Sequence, residues 1–129
     1  MSALFAGGLC FIALVLLPKW RELPAARQHE HFLFMLARAE TLMPRLARAV
    51  AVCLLALIGW QARSGAVAAP LWAAAAMLAA VFAISLTVNV PINRRIAEGA
   101  ISDEDRRRWD RGHLGRTGAG VLLLIALLS

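Results

Sequence analysis

The sequence predicts an all-α protein, an integral membrane four-helix bundle with both termini outside the cytoplasm. Three observations lead to this fold class. The 129 residues are 60% hydrophobic and 17% charged, against about 45–50% apolar and about 25% charged in soluble domains. The apolar residues collect in four blocks that are nearly free of charge. Thirteen of the 14 Lys and Arg residues lie in or beside the two segments that would share one side of a membrane. The length suits a single domain, 1–129.

The first block is Ser2 to Leu17, SALFAGGLCFIALVLL. A signal peptide carries its positive charge ahead of the apolar region. Here the first charge, Lys19, follows it, so an N-terminal transmembrane helix over about 2–17 is expected. A first cytoplasmic segment, 18–42, comes next. Within it HEHFLFMLARAETLM holds good helix formers, with Phe32, Leu33, Leu36 and Ala39 to Leu42 able to form one apolar face. Such a helix either lies on the membrane or runs on into the second span, where Pro44 would kink it.

The second block, Ala49 to Trp60, reaches spanning length only when extended backwards, to about 43–62. Arg45 and Arg48 then keep their stems in hydrocarbon and their heads at the interface. The short, turn-like QARSGAVAAP makes helices two and three an antiparallel hairpin. The third block, Ala66 to Val88, alone reaches the roughly 20 residues that a bilayer needs, and a helix over 66–89 is expected. A second cytoplasmic segment covers 90–108. In it Ser102 followed by Asp103, Glu104 and Asp105 reads as an N-cap with an acidic first turn, and a helix starting there would run through DEDRRRWDRGHLGRTGAG into the fourth block. The fourth block, Gly118 to Leu128, spans only when extended back to Trp109, giving 109–129.

The positive-inside rule places both long, Arg-rich segments in the cytoplasm, which implies a multi-pass protein of the plasma (bacterial inner) membrane. Tryptophan favours the membrane interface. Trp20 and Trp109 fall at the proposed inner boundary and Trp60 and Trp72 at the outer one.

Composition excludes several functions. The net charge of +6 does not point to nucleic acid, because the basic residues sit between apolar blocks without aromatic stacking runs or zinc-finger spacing. Cys10 and Cys53 lie singly in apolar surroundings and read as small hydrophobes. His29 and His31 flank Glu30 at a spacing unlike that of a helical HExxH metal site, so no metal and no cofactor is expected. There is no GxxxxGKS loop, GxSxG elbow or CxxC pair. A proton-coupled pump would normally carry an acidic residue inside an apolar block, and none is present.

Two polar clusters remain. In TVNVPINRR, Asn89 and Asn93 share one face if the helix continues past Pro91, and the proline frees a carbonyl near Thr87. Backbone freed at membrane depth must be buried in protein or line a wet cavity, and asparagine can serve both its donors and acceptors. The plainer reading is a helix end with a proline stop and polar caps. In WDRGHLGRTGAG, Trp109, His113 and Arg116 share a face, while Gly112, Gly115 and Gly118 recur on another that could pack tightly. Its plainer reading is an interfacial helix with Arg116 on lipid phosphate.

NVPINRRIAEG followed by WDRGHLGRT resembles the anthrone-oxygenase-like family of small four-helix membrane proteins, long catalogued as a domain of unknown function. The matching elements are N-x-P-x-N at Asn89, Pro91 and Asn93 and W-x3-H-x2-R at Trp109, His113 and Arg116. Gly7, Gly8 and Pro18 are similar to its Gly-rich first helix. The specific resemblance covers about residues 87–117, and the Arg-rich N-terminal half departs from it. Some fungal relatives oxidise anthrones to anthraquinones. The resemblance therefore implies a cofactor-independent oxygenase for a lipophilic aromatic substrate. His113 would be the base, with Asn89, Asn93 and Arg116 stabilising the oxyanion. Trp109 would stack on the ring, with Arg94 and Thr87 beside it as substrate-binding residues.

Two other functions compete. One is a non-catalytic protein that binds a lipid headgroup or small anion through Arg94, Arg95 and Arg116. The other is an accessory subunit, or a homo-oligomer, that packs through its glycine faces. The expected partners are membrane lipid and a small lipophilic ligand, with no nucleic acid.

Overall fold

The structure, a computed structural model, describes residues 2–99 and 102–129. Residue 1, and residues 100 and 101 of the expected 90–108 segment, lie outside the described residues. Among the described residues the protein is entirely helical, with four helices and no strand. Helix α1 covers Ser2–Glu22 and contains a π turn at Ile12–Leu16. Helix α2 runs unbroken over Ala25–Arg63. Helix α3 covers Ala69–Ala97, with a π turn at Ser85–Asn89. Helix α4 is Asp103–Leu128.

Prolines explain both π turns. Pro18 and Pro91 lack an N–H, and each ring crowds the carbonyl one turn back. The helix widens by one residue just before each of them. The Leu17 N–H reaches the Ile12 carbonyl and the Val90 N–H reaches that of Ser85, five residues back in each case. Because widening relieves the clash, α3 does not stop at Asn89 as the sequence suggested. It continues to Ala97 and closes on Gly99 at φ +77°, a left-handed conformation that suits glycine. Of the two courses expected for the helix of the 18–42 segment it takes the second, passing through Pro44 into the second apolar block. Helix α4 starts before Trp109, at a capping box in which Ser102 and Asp105 satisfy each other's backbone N–H groups.

By length and composition, α1, α2 and α3 are able to cross a membrane. The sequence reading expected a fourth crossing. Helix α4 fails the test of composition because its first half carries DEDRRRWDRGHLGR. It nevertheless packs antiparallel along α3, with Gly112 beside Val88 and Asn89, Gly115 beside Ile84, and Leu123 in one core with Leu71, Ala74 and Leu78. From Trp109 to Leu128 it extends about 30 Å at 1.5 Å per residue, the thickness of a bilayer core. Leu14, Val52, Leu55 and Leu128 stand exposed on the outer surface, as suits a surface solvated by lipid.

Glycine sets the approach of α4. A Cβ at Gly112 would lie 2.8 Å from Val88 Cγ1, and one at Gly120 would lie 2.8 Å from Leu9 Cδ1. The glycine stripe is thus spent largely on packing within the chain. Gly118 alone of the three evenly spaced glycines has open space beside it.

The tryptophans divide differently from the sequence expectation. Trp60 and Trp72 are exposed at one end of the bundle, as interface anchors would be. Trp20 and Trp109 are buried. They form an aromatic cluster with Phe32, with ring centroids 5.2–6.1 Å apart. Sequence spacing marks a boundary but not which face of the helix a side chain takes, and these two face inward.

Substitution at the glycines separates close packing from propensity. Gly118→Ala is expected to raise thermal stability in detergent, since alanine is favoured over glycine in a helix by about 1 kcal/mol. Gly112→Ala is expected to lower it by about 1–3 kcal/mol, because Val88 must move. Unfolding curves of the two variants measured side by side check the sign of each change.

Candidate functional site

The close approach at Gly112 brings the two polar clusters together. Asn89, Asn93, Trp109, His113 and Thr117 are all buried where α4 meets the π turn of α3. An indole nitrogen can only donate. Trp109 Nε1 donates to Asn93 Oδ1 at 2.6 Å, which turns the Asn93 Nδ2 away from the indole. Nδ2 lies 3.5 Å from Glu40 Oε1, at the outer limit of a hydrogen bond. Asn89 Nδ2 reaches the Trp109 carbonyl at 3.4 Å. Asn89 Oδ1 is buried without a partner among the described residues, in the space that Gly112 leaves free.

His113 is fully buried and stacks on Trp109, with centroids 5.3 Å apart and planes 7° apart. Its Nε2 lies 3.3 Å from the Leu9 carbonyl. A carbonyl only accepts, so the ring proton belongs on Nε2. Nδ1 is then a bare acceptor, and Arg116 donates to it from Nε at 3.1 Å and from Nη2 at 2.7 Å. Both ring nitrogens are therefore occupied. Thr117 Oγ1 donates to the His113 carbonyl at 2.8 Å.

Arg116 takes no part in the ion pairs among the described residues. It lines a cavity of about 200 Å³ together with Asn93, Trp109, Glu40 and mostly apolar side chains. Helix α2 packs on the Ala69–Ile84 and Val90–Ala97 parts of α3, and the cavity opens between α2 and α3 at the π turn. Exposed Leu86, Val90 and Pro44 belong to its lining, so its mouth faces sideways.

The site residues inferred from sequence thus sort into groups. Asn93, Trp109 and Arg116 line the cavity, while His113 and Asn89 stand behind them. Thr87 is exposed and its hydroxyl donates to the Ala83 carbonyl of its own helix at 2.7 Å. Arg94 is exposed and outside the lining, and Arg95 pairs with Asp105 at 2.8 Å. Arg94, Arg95 and Arg116 therefore do not converge as a headgroup site requires. His29 is exposed and His31 half-buried, and no group of three potential metal ligands occurs among the described residues.

Sequence reasoning missed Glu40. The signal was present: between Glu30 and Glu98 it is the only Asp or Glu. It stands on the α2 stripe of Leu36, Met43 and Ala47, which otherwise gives the cavity an apolar wall.

A sequence model of the family described as anthrone oxygenase matches residues 32–126. The matched stretch holds Glu40, Asn89, Asn93, Trp109, His113 and Arg116, whereas α1 with its Leu9 carbonyl lies outside it. Neither curated proteins nor solved structures yield a match.

Trp109→Phe leaves Asn93 Oδ1 buried without its donor and is expected to destabilise the protein by about 1–3 kcal/mol. Asn93→Leu in the same background removes the orphaned acceptor and should recover part of that loss. Thermal unfolding of the single and double variants measures both effects.

Proposed function

Because the chain belongs to the anthrone oxygenase family, we propose that it is a cofactor-independent oxygenase of a flat, lipophilic aromatic ketone, bound in the cavity beside Arg116. The observation that carries this reading is an arginine lining an apolar cavity with no carboxylate paired to it among the described residues. A cation in such surroundings is costly unless something compensates it. A substrate that becomes an oxyanion during reaction supplies that charge at the moment it is needed, and low polarity strengthens the attraction.

The chemistry needs little from the protein. A methylene activated by a neighbouring aryl ketone loses a proton, and its electron pair moves onto the ketone oxygen, which Arg116 faces. The carbanion carbon bonds dioxygen, whose O–O unit takes up the electrons as a peroxide and is protonated. Loss of the remaining C–H proton then breaks the O–O bond and expels hydroxide. The methylene becomes a carbonyl, and one dioxygen yields that carbonyl oxygen and one water.

On this reading His113 is a positioning residue. Its Nδ1 lone pair holds Arg116 and its Nε2–H anchors it to α1. A role as the base would need that lone pair to be free. Trp109 and Asn93 form the inner wall, and Asn89 ties α3 to the Trp109 carbonyl. The proposed setting is four crossings of the bacterial inner membrane with both termini outside. The concentration of arginines near the start of α4 and the exposed Trp60 and Trp72 at the opposite end support it.

Purified protein given anthrone is expected to consume one dioxygen per anthraquinone formed, above the spontaneous rate. Arg116→Gln should lower kcat/KM by about 10²–10³-fold, with Arg116→Lys retaining more. His113→Ala should also lose activity, and the double variant should lose little more than the worse single one, because the two residues act as a unit. An oxygen electrode with product mass spectrometry reads each rate. A wild-type rate equal to the spontaneous one would sink the proposal.

A further inference from the structure

We propose that Glu40 is the catalytic base that removes the substrate's methylene proton, an inference that rests on the oxygenase reading and adds to it the group that starts the reaction.

Four observations carry the assignment. Among the described residues Glu40 is the only carboxylate lining the cavity. It shares that cavity with Arg116, yet the two do not form an ion pair. A carboxylate and a guanidinium that line one mostly apolar cavity without pairing can meet different ends of a molecule bound there. One end of that molecule gives up a proton and the other gains negative charge.

The orientation of Glu40 is guided from within the bundle. Trp109 fixes the Asn93 amide, which presents Nδ2 towards Glu40 Oε1. The polar chain therefore ends at the cavity on a carboxylate. Glu40 is also exposed, so the bundle does not seal off a proton it accepts. His113 has neither advantage, being fully buried with both nitrogens engaged.

The step balances simply. The C–H bond at the activated methylene breaks and the proton passes to a Glu40 oxygen. The electron pair delocalises onto the ketone oxygen, facing Arg116. Dioxygen, the co-reactant, then adds to the carbon as described above. The protonated Glu40 can return its proton to the peroxide.

Proton removal can be observed without oxygen. Full-length protein in nanodiscs, kept anaerobic in D2O, is given anthrone, and deuterium entering the methylene is followed by mass spectrometry. The wild type is expected to accelerate exchange. Glu40→Gln should lower that acceleration by about 10²–10⁴-fold, the range for a general base, while anthrone still quenches tryptophan fluorescence. Glu40→Asp, which keeps the charge on a shorter arm, should fall between them and serves if Glu40→Gln does not fold. Wild-type exchange and oxidation with both variants unimpaired would overturn the role of Glu40 and leave the oxygenase reading standing. A wild type that neither exchanges nor oxidises anthrone would overturn both.

Discussion

A polar group inside this bundle meets other protein groups rather than water, so leaving a donor or an acceptor unpaired is costly. That constraint organises the site. Trp109 can only donate, which sets the Asn93 amide. The Leu9 carbonyl can only accept, which sets the His113 tautomer and leaves Nδ1 for Arg116. Two strictly one-way groups, one on α4 and one on α1, thereby fix the direction of the network between them. Arg116 is held by a neutral ring rather than a carboxylate, so its charge stays uncompensated at the cavity.

The helices supply what the network needs. Gly112 and Gly120 let α4 sit close enough to α3 and α1 for short polar side chains to meet. The proline-induced π turns add one residue each to α1 and α3 without ending either helix. In α3 the widened turn lies where α4 presses in and where the cavity opens. Such single-turn bulges often accompany functional sites. Here the cause is explicit, a missing N–H at Pro91 two residues past Asn89.

Much of this was legible in the sequence, for physical reasons. Apolar blocks and an N-cap with an acidic first turn are local signals, so the all-helical class and the start of the last helix followed directly. The shared face of Asn89 and Asn93, and that of Trp109, His113 and Arg116, follows from helical spacing, and these faces do meet. Local rules failed where tertiary contacts decide. Pro91 reads as a stop, but a π turn absorbs it. Trp20 and Trp109 stand at predicted boundaries, but an aromatic partner draws them inward. Glu40 sits in a segment expected to lie outside the membrane, where a lone carboxylate draws no notice until Asn93 stands beside it and Arg116 lines the same cavity. The occupied lone pair of His113 was invisible too, since it depends on a carbonyl more than a hundred residues away.

The sideways mouth between α2 and α3 has a consequence for how occupancy should be counted. In the proposed membrane setting, a molecule entering there arrives from the lipid phase, where an apolar compound is far more concentrated than in the buffer around it. The governing quantity is then its mole fraction in the bilayer or micelle, not its molarity. Adding detergent or lipid at fixed total compound dilutes it in two dimensions and lowers saturation with no change in the protein. Affinities for this cavity gain meaning only when the amount of surrounding amphiphile is stated with them.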